Sequence, residues 1–293
     1  MHVAVPPGTP ATAFHTATDA FHAPYRRLAD VYPGIQVELG PLDDLPTTAG
    51  GPASADWVRA ALLAEDADTL SRQVDLDEQQ AVAAYDTVPR RDVSATWTYH
   101  RYAWPLCLLF TAPWFLARRV PRLPVAHVAV NRHAGAWRLD VREFHCLPDD
   151  PAAHLPGAHV EPDEAALRAR LREAIAEHLT PIVEALRPTL RRGPHTLWSM
   201  ATDEVAEGLW YAAGLLGMEE RAVWELTELL PGDTPPFRGA AGFRRVTTAD
   251  GGSMTTRTRL SCCLFYTVRP QELCLTCPRN RRAATTTECD GPS

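Results

Sequence analysis

The amino-acid sequence predicts an α+β fold that is mainly helical, with a small antiparallel sheet and a compact cysteine-rich module near its C-terminal end. Three observations predict it. Leu167, Leu171, Ile175, Leu179, Ile182 and Leu186 recur at three-to-four-residue spacing, which is one apolar face of a long helix. Trp137, Leu139 and Val141 alternate with Arg138, Asp140 and Arg142, the period of a half-buried strand. Cys262, Cys263, Cys274 and Cys277, four of the seven cysteines, crowd together beyond a Pro/Gly-rich segment.

Composition agrees with a folded globule. The chain has 293 residues, 45% apolar and 22% charged, enough to bury a sizeable core. A net charge of -7 speaks against general affinity for nucleic acid. All 29 basic residues are Arg. The charge is uneven: residues 231–293 hold nine Arg against five acids, a net of +4, so the acidic character sits in residues 1–230. A basic cap on an acidic body suits the approach of something negative.

In chain order, residues 1–53 are rich in Pro, Gly, Ala and Thr and form a poorly defined N-terminal segment, with a short strand expected at Ile35–Leu39. Residues 54–235 form the body. A helix is expected from Ser54, with Ser54 or Asp56 as its cap, and another over Asp77–Tyr85. Trp97–Arg118 reads as a buried helix, kinked at Pro105 and Pro113. Its apolar stretch is shorter than the ~20 residues a membrane span needs. With no signal-like apolar segment at the start, a cytoplasmic location is expected.

Residues 125–144 read as a β-hairpin with its turn at 131–135. A Pro-rich connector follows over 146–162, then three helices. The first carries the stripe named above, bent at Pro181. The second bears Leu197, Ala201, Val205, Leu209, Ala212 and Leu216, with Gly217 as its stop. The third spans about 219–230. Pro231–Gly242 reads as a linker to a module over 240–280, and 281–293 as a flexible tail.

The cysteines carry the chemistry. Their spacing is C-C-x10-C-x2-C. A C-x-x-C turn lets two thiolates face one metal centre. Adjacent residues on an extended strand point to opposite faces, so Cys262 and Cys263 converge only if the backbone bends. Four thiolates match the ligand set of a [2Fe–2S] centre, whose two irons relax the demand for one small tetrahedron. A structural zinc site and a Cys274–Cys277 redox pair are the competing readings. Cys107 reads as packing and Cys289 as a tail thiol. His127, His133, His145, His154 and His159 form a loose group that matches no standard metal motif.

Arg259-Leu260-Ser261-Cys262-Cys263-Leu264-Phe265-Tyr266, followed by Leu273-Cys274-Leu275-Thr276-Cys277-Pro278, resembles the C-terminal signature of the FhuF-type ferric-siderophore reductases. Upstream, Leu197-Trp198 is similar to the family's Leu-Trp pair at the start of a small-residue-rich helix, although Ser199-Met200 stands where Gly-Asn is usual. The resemblance implies that Cys262, Cys263, Cys274 and Cys277 ligate a [2Fe–2S] cluster. It implies a cytoplasmic reductase that passes one electron to Fe³⁺ held by a siderophore and releases Fe²⁺. An iron–sulfur carrier or redox sensor without a siderophore site is the alternative reading, and a structural zinc protein a third. No nicotinamide, flavin or P-loop motif is present, so a ferredoxin-like protein is the expected electron donor. Ser261, Tyr266 and Thr276 stand close enough in sequence to donate hydrogen bonds to the sulfurs. Arg257, Arg259 and Ser261 would share the face of Cys263 on a strand running from Thr255. Arg244, Arg245, Arg257 and Arg259 are the expected docking residues for donor or chelate, with Arg279, Arg281 and Arg282 flanking them.

Overall fold

A computed structural model describes residues 14–45, 47, 57–247, 251–272, 274 and 276–279. Much of the segment expected over 1–53 lies outside the described residues, as do Ser54, Asp56, Arg281, Arg282, Cys289 and the tail. The structure is 51% helical, with three small sheets among the described residues. Among those residues seven α-helices run α1 Asp19–Val31, α2 Ala60–Glu65, α3 Ala67–Tyr85, α4 Arg91–Ala117, α5 Glu164–Leu186, α6 Pro194–Leu215 and α7 Glu219–Leu229. The strands are β1 Gln36–Leu39, β2 Trp57–Arg59, β3 Arg119–Pro121, β4 Val128–Asn131, β5 Ala136–Leu139, β6 Phe144–Cys146, β7 Ala158–Val160, β8 Gly242–Thr247 and β9 Ser253–Thr258.

Helix α4 is the central post. It buries residues on every side, from Val93 and Tyr99 through Leu106–Phe110 to Trp114 and Phe115, because α1, α3, α5 and α6 all pack on it. That all-round burial is why its apolar pattern shows no single face. It starts six residues earlier than expected and is assigned as helix straight through Pro105 and Pro113. Helix α5 likewise continues through Pro181. Helix α6 presents its small residues to α4, and Gly217 ends that region at φ +71°, a left-handed conformation suited to glycine. Among the described residues no helix is long and apolar enough to cross a membrane.

The first sheet has the order β1-β5-β4-β2, with β1 parallel to β5 and the rest antiparallel. It contains the expected hairpin, shortened. Val141 and Phe144 are both buried but three residues apart, which a period-two strand cannot satisfy. The chain therefore leaves β5 after Leu139, and Phe144 opens β6 in the second sheet, β3-β6-β7. The helix expected from Ser54 is replaced by strand β2 and the short α2. Trp57 packs on Leu42, Leu45 and Ala129, and the Arg59 guanidinium donates to the carbonyls of Leu42 and Leu45, which holds this stretch extended beside β4.

Helix α3 begins ten residues before the expected Asp77. Asp66 caps it, accepting from the Asp68 amide at 3.2 Å and from the Thr69 hydroxyl at 2.5 Å. Its buried stripe is Leu70, Val74, Asp77 and Ala81, and the carboxylate in that stripe breaks the apolar signal. Asp77 is fully buried because Arg101, Arg132 and Thr98 all donate to it. Residues 231–242 pack against α6: Phe237 is 2% exposed and meets the Trp198 ring edge-on, and Thr202 donates to the Arg238 carbonyl at 3.0 Å.

His178 on α5 ties α4 to the segment that follows β3. Its Nδ1 donates to the Leu123 carbonyl at 2.5 Å and its Nε2 accepts from the Tyr102 hydroxyl at 2.7 Å. Burial pushes its pKa down to about 4, so the ring is neutral when folded. The unfolded ring takes its proton near the ordinary 6.5. Between those values the unfolded state binds more protons, so stability falls as pH drops from 6.5 to about 4. The loss should reach at most about 3 kcal/mol in urea unfolding. His178→Gln should remove that share; an identical acid slope in the variant would contradict the neutral buried ring.

Candidate metal centre

Two segments carry the four cysteines, and α6 fixes the first. Strand β9 ends at Thr258, short of the strand expected to reach Cys263. The amides beyond it find a different acceptor. Leu260 N and Ser261 N donate to the Asp203 carboxylate at 2.9 and 2.8 Å, and the Ser261 hydroxyl donates at 2.5 Å. Asp203 is 3% exposed, and burial pushes its carboxyl up against the bonds from Ser261 and Leu260. Leu260 also closes over Gly239, where a Cβ would stand 2.6 Å from the leucine Cδ1.

Just beyond the cysteine pair the chain turns at Leu264, whose φ is +65°. A left-handed leucine costs about 1–2 kcal/mol. Three contacts offset that cost. Trp97 on α4 donates from Nε1 to the Cys263 carbonyl at 2.7 Å, and Arg192 donates to the Cys262 carbonyl at 2.9 Å. The Leu264 side chain is buried with Ala81, Val93, Trp97 and Val268. The bend also brings the Leu264 amide to 3.4 Å from Cys262 Sγ. The second segment closes with Cys277 N donating to the Cys274 carbonyl at 2.9 Å, the turn that a C-x-x-C pair needs.

The thiols share one locality. Cys262 feels Cys263 and Cys277, and Cys274 feels Cys263 and Cys277. Burial pushes the Cys262 thiol up and the Cys274 thiol up to about 11. Bare, they are protonated at neutral pH, so metal binding here would release protons. Arg259 supplies the opposing charge. Its Nη1 lies 3.9 Å from Cys274 Sγ, while Nε and Nη2 are buried without a hydrogen-bond partner. Burial alone would lower its pKa, but Cys263, with Asp203, Glu204 and Glu207, raises it. Two idle donor nitrogens on a guanidinium near Cys274 and Cys263 suit a sulfur-rich anionic group, and a two-iron centre with four thiolates and bridging sulfides is one. Among the described residues no three His, Cys, Asp or Glu side chains gather around one point. A two-iron centre takes its thiolates two to an iron.

The other expected site residues divide. The Ser261 hydroxyl bonds Asp203, so it holds the loop. Arg279 lies over the Tyr266 ring at 4.2 Å, and Thr276 sits half-buried in the C-x-x-C turn. Arg257 is 3% exposed and ion-paired with Glu207 and Asp203, so the docking role expected for it is replaced by a buried structural pair. Arg259 turns toward the cysteines rather than outward. Arg244 is half-buried against Thr258, and Arg245 is exposed with Nε donating to Ser253 at 3.0 Å. His145 and His159 face each other across β6 and β7, with rings 5.1 Å apart, and His145 bonds Glu161.

Asp203, Arg192 and Trp97 are the functional residues that sequence reasoning passed over. One signal was available for the first. Asp203, Glu204 and Glu207 interrupt an otherwise apolar helix, and Arg257 and Arg259 are spaced to meet them. The partners of the cysteine carbonyls carry no such signal, since Trp97 lies 166 residues from Cys263.

A family model described as the FhuF 2Fe-2S C-terminal domain matches residues 259–279, which hold all four cysteines and Arg259. No curated protein matches the chain.

Two substitutions test the geometry. Asp203→Ala leaves two amides and a hydroxyl unpaired, at about 1–3 kcal/mol for each buried group. The purified variant should hold less than roughly half the wild-type iron and sulfide with unchanged far-ultraviolet circular dichroism; full occupancy would remove Asp203 as the anchor. Arg259→Gln deletes a cation beside the sulfurs. The reduction midpoint should move negative by on the order of 100 mV, and an unmoved midpoint would show that Arg259 does not face the centre.

Proposed function

Because residues 259–279 are an FhuF-type 2Fe–2S domain, we propose that this iron–sulfur protein reduces siderophore-bound ferric iron. The observation that carries the reading is that the matched segment contains the whole C-C-x10-C-x2-C set together with the buried Arg259. In this reading Cys262, Cys263, Cys274 and Cys277 hold the cluster. When bound, a [2Fe–2S] group accepts and supplies one electron at a time.

The chain's own residues set the conditions. The Leu264 amide beside Cys262 Sγ and the Arg259 guanidinium beside Cys274 Sγ both favour the more negative, reduced state, which raises the potential. Trp97, Leu264 and Val268 cover the inner side of the loop and limit water there. Ferric iron in the chelate takes one electron and becomes Fe²⁺. No covalent bond need form. Siderophore oxygens are hard ligands that bind the larger, less charged Fe²⁺ far more weakly, so release follows reduction. The electron comes from a ferredoxin-like donor, for which exposed Arg245 and half-buried Arg244 on the β8–β9 hairpin are the docking charges. The reaction belongs in the cytoplasm, where closely spaced thiols stay reduced.

Stopped-flow mixing of the anaerobically reduced protein with ferric siderophores tests this. Reoxidation should be fast and chelate-selective, with Fe²⁺ appearing in equal amount. Cys274→Ser should abolish it. Reoxidation that is indifferent to the chelate would favour a carrier or sensor. Donor-dependent reduction should slow as salt rises and slow further in Arg245→Glu; a flat ionic-strength profile would dismiss the docking role.

A further inference from the structure

The second sheet carries a quartet of imidazoles and carboxylates that the cysteine chemistry does not use. Two of its strands run parallel through Glu143-Phe144-His145 and His159-Val160-Glu161, and they pair His145 directly with His159. Directly paired residues project from one face, and so do residues two apart. The four side chains therefore share a face, while Phe144 and Cys146 are buried on the other. We propose that His145 and His159 bind a first-row divalent cation such as Ni²⁺, Zn²⁺ or Fe²⁺. The proposal goes beyond the reductase reading and needs none of its steps.

The carboxylates cross over between the strands. His145 Nδ1 donates to Glu161 at 2.9 Å, and His159 Nε2 stands 3.5 Å from Glu143. A carboxylate on one ring nitrogen fixes the tautomer, orients the ring and makes the other nitrogen a better ligand. That leaves Nε2 of His145 and Nδ1 of His159, neither of which has a partner among the described residues. The ring centroids are 5.1 Å apart and the planes are inclined by 33°. A metal–nitrogen bond is about 2 Å, so small side-chain rotations bring both nitrogens to one ion.

The surroundings favour a cation of this class. Burial holds the His145 ring below the ordinary histidine range against the pull of Glu161, so its free nitrogen keeps a lone pair at neutral pH. Glu143 and Glu177 share Arg122, and Glu161 and Glu173 share Arg170. Nearby Arg142 is taken up by Asp140. Four acids against two guanidiniums attract positive charge. Imidazole then selects borderline first-row ions over Mg²⁺ and Ca²⁺, which take oxygen ligands. Among the described residues no third His, Cys, Asp or Glu joins the pair, so water fills the other positions and the ion exchanges readily. The His159 side chain is 51% exposed, which opens the site to solvent.

Titration calorimetry of the anaerobic, cluster-loaded chain with Ni²⁺ tests the site. His159→Gln, at an exposed position, should weaken Ni²⁺ at least about tenfold, which corresponds to about 1.4 kcal/mol. Glu161→Gln keeps both ligands and should still weaken it about tenfold, because the His145 ring loses its carboxylate. Iron and sulfide content should be unchanged in both variants, and Mg²⁺ should not compete. In ring-resolved nuclear magnetic resonance spectra, Ni²⁺ should broaden the His145 and His159 signals before those of other histidines. Nickel affinity unchanged in His159→Gln, Mg²⁺ competing on equal terms, or other histidine rings broadening first would overturn the proposal. Nickel affinity that falls only together with iron content would place the ion at the cysteines and overturn it as well.

Discussion

Asp203 sets the position of the loop that leads into Cys262 and Cys263. It is a carboxylate buried in the middle of α6, and it accepts from two consecutive amides and one hydroxyl of the cysteine loop. A buried carboxylate is costly unless its lone pairs are filled, and here three donors fill them while the Arg257 guanidinium stands 3.6 Å away as a counter-charge. The same bonds hold the residues that lead from the end of strand β9 into Cys262 and Cys263. Removing the carboxylate would strand all of those donors together, so loop position and helix position are coupled.

Helix α4 gives the second support and joins two parts of the site. Trp97 holds the Cys263 carbonyl, and one turn further on His100 reaches Glu204. Around the sulfurs, charge is balanced within a small volume: Arg257 against Asp203 and Glu207, His100 against Glu204, and Arg259 against the cysteines. Arg259 has two buried nitrogens left without hydrogen-bond partners near Cys274, which is the feature that a sulfide-bearing cluster would satisfy.

Much of this was legible in the sequence, and the exceptions share a cause. Helices α5 and α6 follow from their apolar stripes, and the β4–β5 turn from its Asn131 and Gly135. The cysteine spacing announced the centre, and even the need for a bend was readable from two adjacent cysteines. What escaped were elements decided by distant partners. Asp77 disguised the start of α3 because its two arginines lie on α4 and the β4–β5 turn. Arg257 reads as a surface charge until α6 places Glu207 against it. Strand β2 exists because Arg59 finds the carbonyls of Leu42 and Leu45. Local pattern reports period and composition, whereas a buried charge is explained only by a partner far along the chain.

The central claim is that four cysteines at the C-terminal end hold a two-iron cluster. Electron paramagnetic resonance of the anaerobically purified protein, before and after one-electron reduction, with iron and sulfide analysis on the same sample, tests it most directly. The account predicts silence when oxidised, a half-integer-spin signal after reduction, and two irons with two labile sulfides per chain. A colourless protein that holds a single zinc ion and stays silent after dithionite would contradict it.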